Sequence, residues 1–195
     1  MTNDIILAGV GGQGILSIAA VVGIAALDKG LQIKQSEVHG MSQRGGAVLS
    51  HLRISDEDIY SSLIPKGEAD MILSVEPMEL LRYKPFLRPN GFLISNTKQV
   101  KNIPNYPEME DLLKEIEQYQ NRILIDADTI AKKAGNIRAA NMVMLGAAAD
   151  HLVLENESLI KGIKTIFGRK GDRIINLNVD AFNLGREMAE MYGKT

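Results

Sequence analysis

The stretch "GVGGQGI", Gly9 to Ile15, directly follows a four-residue apolar run, Ile5 to Ala8. It constrains the fold more than any other segment. A short, continuously apolar run reads as a strand buried on both faces of a parallel sheet. The glycines demand a tight turn, and the Ala- and Ile-rich segment Ile15 to Lys29, closing at Gly30, reads as a buried helix with a glycine stop. Strand, glycine turn and helix open a doubly wound α/β fold.

The remaining pattern continues that theme. "LQIKQSEV" alternates as a second strand, and "AVLSHLRIS" and "DIYSSLI" flank "DED" as a β-hairpin. "ADMILSV", "FLISN" and "RILIDA" read as further strands. "EPMELLRYKPFL" reads as a helix with Pro77 in its first turn, and "EMEDLLKEIEQY" as a charged amphipathic helix. Residues 98–107 read as an irregular surface loop. "DADTIAKKAG" starts a helix with Asp128 as its cap, and "NESLIKGIKTIFG" one capped by Asn156 or Ser158. "NMVMLGAAADHLVL" is apolar on nearly every face, which predicts a helix buried against its own sheet and a partner. "NVDAFNLGREMAEMYG" closes the chain as a helix. The expected architecture is Rossmann-like: a doubly wound, mostly parallel sheet with an added β-hairpin. Residues 1–195 form a single domain, with no repeat or linker.

Composition narrows the function. With 195 residues, 45% hydrophobic and 24% charged, the chain has the balance of an ordinary globular domain. A net charge of -2 gives no global field that draws nucleic acid, and with no Trp and four Phe the chain has few large anchors for stacking bases. The absence of cysteine excludes a thiol nucleophile and a thiolate-held iron–sulfur cluster in this chain. The start "MTNDIILAGV" has no basic n-region, and the longest apolar run is too short to span a bilayer, so a cytoplasmic chain with no membrane contact is expected.

Two constellations carry candidate chemistry. Gly9, Gly11 and Gly14 fit the G-x-G-x-x-G spacing, with Gly12 and Gln13 between them. Gln13 is expected to aim at the mouth. The turn admits a nucleotide-like ligand, a bare anion, or only a tight turn. A ribose-binding acid after the second strand has no clean candidate. The second constellation, "SEVHGMSQRGG", combines Ser36, Glu37, His39, Gly40, Met41, Ser42, Gln43, Arg44, Gly45 and Gly46. It reads as a loop at the carboxyl end of strand two. Arg44 can clamp a phosphate or carboxylate with two hydrogen bonds, His39 can move protons near neutral pH, and the glycines can present bare amides. Against this stands a rigid loop in which Glu37 pairs with Arg44 and His39 bonds a carbonyl. His51 and His151 fall in structural patterns, and the scattered histidines support no metal site.

"GVGGQGI", "SEVHGMSQRGG" and "NMVMLGA" together resemble the gamma-type subunits of the 2-oxoacid:ferredoxin oxidoreductases, most closely the small subunits of the indolepyruvate branch. The similarity runs over essentially the whole chain, and the second motif is the specific one. The resemblance implies oxidative decarboxylation of a 2-oxoacid, such as an arylpyruvate, to an acyl-coenzyme A, with electrons passed to ferredoxin. It implies that thiamine diphosphate, Mg and 4Fe-4S clusters reside in a large alpha subunit, that coenzyme A is the co-substrate, and that this chain is inactive alone. The missing cysteines agree with it, as does the lack of a Gly-Asp-Gly thiamine motif; "KGDR" at Lys170 to Arg173 is not one. A homodimer is compatible with it. A free-standing NAD(P)- or flavin-dependent oxidoreductase and a non-catalytic regulatory or scaffold subunit are the competing readings.

Overall fold

The computed structural model describes residues 1–39 and 45–192, His39 through its backbone alone. One six-stranded sheet is built from β1 (Thr2–Val10), β2 (Gln32–His39), β3 (Ala47–Ser55), β4 (Ala69–Ser74), β5 (Leu87–Asn96) and β6 (Arg122–Ile125), in the order β2-β3-β1-β4-β5-β6. β1, β4, β5 and β6 pair in parallel, while β3 runs antiparallel to both β1 and β2. Alternation along β1 serves two cores: Ile5 and Leu7 face one layer and Ile6 the other. The larger layer contains α1 (Ile15–Asp28), α4 (Ala127–Lys133), α5 (Ala140–Ala148), α6 (Asn156–Phe167) and α7 (Asp172–Tyr192); α2 (Pro77–Tyr83) and α3 (Met109–Glu117) supply residues to the smaller.

Several local expectations change. The segment 58–64 is not a strand. The added hairpin is β2–β3, because β3 finds partners on both its edges, with Ser36 opposite His51 and Leu7 opposite Ser50. The helix after β6 is capped by Asp126, whose Oδ1 and Oδ2 accept from the Thr129 amide and hydroxyl at 2.9 and 2.8 Å, not by Asp128. α6 follows Glu155 without a side-chain cap, so neither Asn156 nor Ser158 caps it. α1 does stop at Gly30, which takes φ 72° while Gly30 and Leu31 donate to the carbonyls of Leu27 and Ala26.

α5 overturns a larger expectation. Residues 141–149 are all buried within this one chain, so α5 leaves no apolar face for a partner. Its closest neighbour is α7. A Cβ built on Gly146 would lie 2.0 Å from the Phe182 carbonyl oxygen, and one on Gly185 would lie 2.0 Å from that of Val143. The two helices therefore cross backbone to backbone.

At the far end of the sheet, Arg53 holds its strand neighbour Asp4 through two bonds of 2.8 and 2.9 Å, and Asp70 accepts the Asp4 amide at 2.7 Å. His51 is buried, accepts the Ile64 amide on Nδ1 at 3.1 Å, and meets the Phe86 ring edge-on. Burial, then the nearby Arg53 charge, pushes its pKa down.

Two outcomes are expected. Gly146→Ala or Gly185→Ala should destabilise the fold by about 3 kcal/mol through overpacking, lowering the thermal midpoint by about 6–12 °C in calorimetry. Because the folded chain holds His51 neutral, stability should be retained above the ordinary histidine value of 6.5 and fall as pH drops below it. His51→Asn, which keeps an acceptor for Ile64, should flatten that part of a urea-stability profile against pH.

Candidate functional site

Chain direction diverges at β1. α1 carries the chain outward to β2 on one side, and β4 lies on the other. β1 and β4 end side by side, the place where open α/β sheets form ligand crevices. The glycine turn sits there. A Cβ on Gly9 would lie 2.4 Å from Val75 Cγ2 and 2.8 Å from Ile15 Cδ1. Gly12 and Gly14 take φ values of 102° and 80°, in the left-handed region that favours glycine. Gln13 Oε1 accepts the Val10 amide at 2.7 Å, and Nε2 donates to the Val75 carbonyl at 3.1 Å. Gln13 is thus folded back to tie β1 to the end of β4, and the expectation that its amide aims freely at the mouth is corrected.

The three motifs meet at this turn. Gly11 N–H donates to Gly46 O at 2.8 Å, and Gly45 N–H donates to Gly11 O at 3.4 Å. Asn141, from "NMVMLGA", donates through Nδ2 to the Gly14 carbonyl at 3.1 Å and fills the space beside it. Gly9, Gly11, Gly12, Gln13 and Gly14 are therefore joined to Gly45 and Gly46. Gly40, Met41, Ser42, Gln43 and Arg44 lie outside the described residues, as does the His39 side chain.

Ser36 and Glu37 belong elsewhere. Both are strand residues of β2, so the second constellation is strand up to His39 and not loop from Ser36. Glu37 pairs with Ser50, which pairs in turn with Leu7. The inserted β3 sets that acid two strand spacings from β1, about 10 Å. It is level with the strand interior and not with the turn. A ribose-binding acid needs β2 beside β1, and this sheet has β3 there.

A cavity of about 630 Å³ opens at the switch point. Gly12, Gln13, Gly14 and Ser17 form one wall, Asn96 and Asp128 the floor at the ends of β5 and β6, and α5 and α7 the remainder through Asn141, Met144, Leu177 and Asn178. Asn96 is buried; its Nδ2 donates to Asp128 Oδ1 at 3.1 Å and its Oδ1 accepts the Ala127 amide at 3.1 Å. Two exposed cations, Arg138 and Lys170, line the cavity, and neither forms a salt bridge among the described residues. α1 enters with no side-chain cap and no acid in its first turn, so its positive end is uncompensated. The arrangement suits an anionic ligand of nucleotide size.

Sequence reasoning missed Asn96, Asp128, Asn136, Arg138, Asn141, Lys170 and Asn178, all of which line the cavity. A usable signal existed for part of the set: each buried run ends in a polar residue, Glu76 after "ILSV", Asn96 after "FLIS" and Asp126 and Asp128 after "RILI". Among the described residues no three His, Asp or Glu side chains converge as metal ligands, and no helix is long and apolar enough to cross a membrane.

Comparison with known proteins accounts for this arrangement. The model of the pyruvate ferredoxin/flavodoxin oxidoreductase family matches residues 4–188, and the chain belongs to that family. The indolepyruvate oxidoreductase subunit IorB of Pyrococcus horikoshii is 36% identical, covering 96% of each chain. The gamma subunit of the keto/oxoacid ferredoxin oxidoreductase of Geobacter sulfurreducens superposes with a TM-score of 0.72 at 28% identity, over 97% of this chain and 99% of that one. The 2-oxoglutarate:ferredoxin oxidoreductase of Magnetococcus marinus shares the fold, with a TM-score of 0.78 at 22% identity, over 97% of this chain and 31% of that one. This chain is accordingly the small subunit of a 2-oxoacid:ferredoxin oxidoreductase, an oxidoreductase built from several subunits.

Gln13→Ala should remove both ties of the turn and lower stability by about 1–3 kcal/mol. Chemical denaturation of the purified chain checks this, with Gln13→Glu, which keeps only the acceptor, losing most of the same amount.

Proposed function

We propose that this chain works with a large alpha subunit to oxidise indolepyruvate or a related arylpyruvate to its acyl-coenzyme A, with electrons leaving through the complex to ferredoxin. In this reading residues 1–195 act as one gamma-type unit in the cytoplasm, and thiamine diphosphate, Mg and 4Fe-4S clusters reside in the partner. The partner's cofactors supply the decarboxylation and electron transfer. This chain, with zero cysteines, supplies binding surface.

The observation that carries the reading is the cavity of about 630 Å³, lined by Arg138 and Lys170 together with the glycine turn and the uncapped start of α1. Its size lies in the range of sites for small molecules and cofactors. Coenzyme A brings a diphosphate and a further phosphate on a nucleoside, which matches two cations and an uncapped helix end. Asn136, through its Nδ2, and Asn178, through its Oδ1, offer a neutral donor and a neutral acceptor for the base and sugar. The second motif, whose Gly45 and Gly46 bond Gly11, then borders the same mouth, and Arg44 is assigned to a coenzyme A phosphate or the oxoacid carboxylate. The inserted β3 weighs against NAD(P), because it removes the ribose acid from reach.

The test is co-expression with the candidate large subunit and an anaerobic assay of dye reduction dependent on indolepyruvate and coenzyme A. Activity is expected only when both chains are present. Arg138→Ala and Lys170→Ala should each raise KM for coenzyme A about ten-fold, the loss of one charge-assisted hydrogen bond. Arg44→Ala should raise KM for coenzyme A or the oxoacid. Failure to associate, with NAD(P) or flavin bound by the isolated chain, would overturn the proposal.

A further inference from the structure

The end of β4 carries a carboxylate that the cavity does not use. Glu76 is fully buried and accepts three hydrogen bonds. Its Oε2 takes the Glu79 amide at 2.9 Å and so caps α2. Its Oε1 takes the Val100 amide at 3.3 Å and the Tyr106 hydroxyl. Burial, reinforced by the Glu76 carboxylate, pushes the Tyr106 phenol well above its ordinary range, so it remains a donor. A buried carboxylate needs all of its donors, and two of the three come from one irregular segment, residues 98–107.

That segment makes a further contact at its centre. Asn102 Nδ2 donates to the Gly45 carbonyl at 2.8 Å, while Gly45 N–H donates to Gly11 O at 3.4 Å. The chain of bonds therefore runs from Glu76, through Tyr106 and Val100, to Asn102, then to the second motif and on to the glycine turn. Lys101, Ile103, Pro104 and Asn105, between the anchors, are exposed. The segment thus adds little to the core.

We propose that Glu76 and Tyr106 are positioning residues for the substrate site: they hold residues 98–107 as a strap whose Asn102 fixes Gly45, and through it the Gly11 end of the glycine turn. The inference rests on the reading that both loops face the substrates. The strap sets where the Gly45 and Gly46 backbone stands relative to the turn. Lifting it would strip two donors from a buried carboxylate oxygen, so Glu76 holds the strap down.

The test uses the co-expressed complex with Tyr106→Phe, Asn102→Ala and the double variant. Tyr106→Phe keeps the ring and leaves Glu76 capping α2. Each single variant should raise KM for coenzyme A or the 2-oxoacid about five-fold while leaving kcat near that of the parent, the effect of one lost hydrogen bond. Amide hydrogen exchange at Gly11 and Gly45 should quicken in each. Because both act through one strap, the double variant should be no worse than the worse single variant. Additive losses, or a lowered thermal midpoint with unchanged KM and unchanged exchange at Gly11 and Gly45, would overturn the proposal. If the complex rejects indolepyruvate, the same variants are read with whichever 2-oxoacid it oxidises. The exchange measurement needs no substrate, so failure of the strap and failure of the substrate assignment are separable.

Discussion

The site depends on β3 having two neighbours. An antiparallel strand inserted between β1 and β2 bonds to β1 from Val10 to Thr2 and to β2 from His39 to Gln32. Hydrogen-bonded on one edge by β3 and on the other by β4, β1 cannot shift along its axis without breaking both ladders. The glycine turn at its end is therefore fixed. The same insertion brings the start of β3 beside Val10, so Gly45 and Gly46 meet Gly11. It also sets Glu37 two strands away from β1. One topological choice thus couples the two glycine motifs and removes the acid that a dinucleotide site would need.

Around this centre, close approach replaces side-chain bulk. Gly9 gives way to Val75 and Ile15, Gly14 to Asn141, and Gly146 and Gly185 to the carbonyls of the opposing helix. These contacts set the distance between the turn and the α5–α7 wall, and hence the width of the cavity. The polar groups there are mostly saturated by backbone or by each other: Gln13 by Val10 and Val75, Asn96 by Ala127 and Asp128. Two cations there, Arg138 and Lys170, form no salt bridge among the described residues, Lys170 lying over the Phe167 ring, and the start of α1 has no side-chain cap. A rigid, saturated frame with two cations at its edge suits anion capture. It does not by itself supply a nucleophile or a redox centre, as befits a chain whose relatives are subunits of larger enzymes.

The strand–turn–helix opening, the buried strands and the helical segments were legible from the sequence because each rests on local periodicity and glycine placement. The glycine turn was legible as well. Three things were not. The segment 58–64 looks like a strand, but β3, its expected hairpin partner, is already paired on both edges by β1 and β2. The all-apolar helix suggested a partner, yet its own chain buries residues 141–149. The free amide expected of Gln13 is engaged by Val10 and Val75, one of which lies more than sixty residues away in the chain.

By itself the sequence determined the class of fold, the place of the phosphate-type turn and the absence of any thiol chemistry, because spacing, glycine and composition are local or additive properties. Only the tertiary structure decided which strands are neighbours, and that decided the site. Strand order depends on which edges remain open after the others have paired, a property of the assembled sheet. From that order follow the meeting of Gly11 with Gly46, the distance of Glu37, the hold of Glu76 on residues 98–107 and the cavity walled by helices distant in the chain.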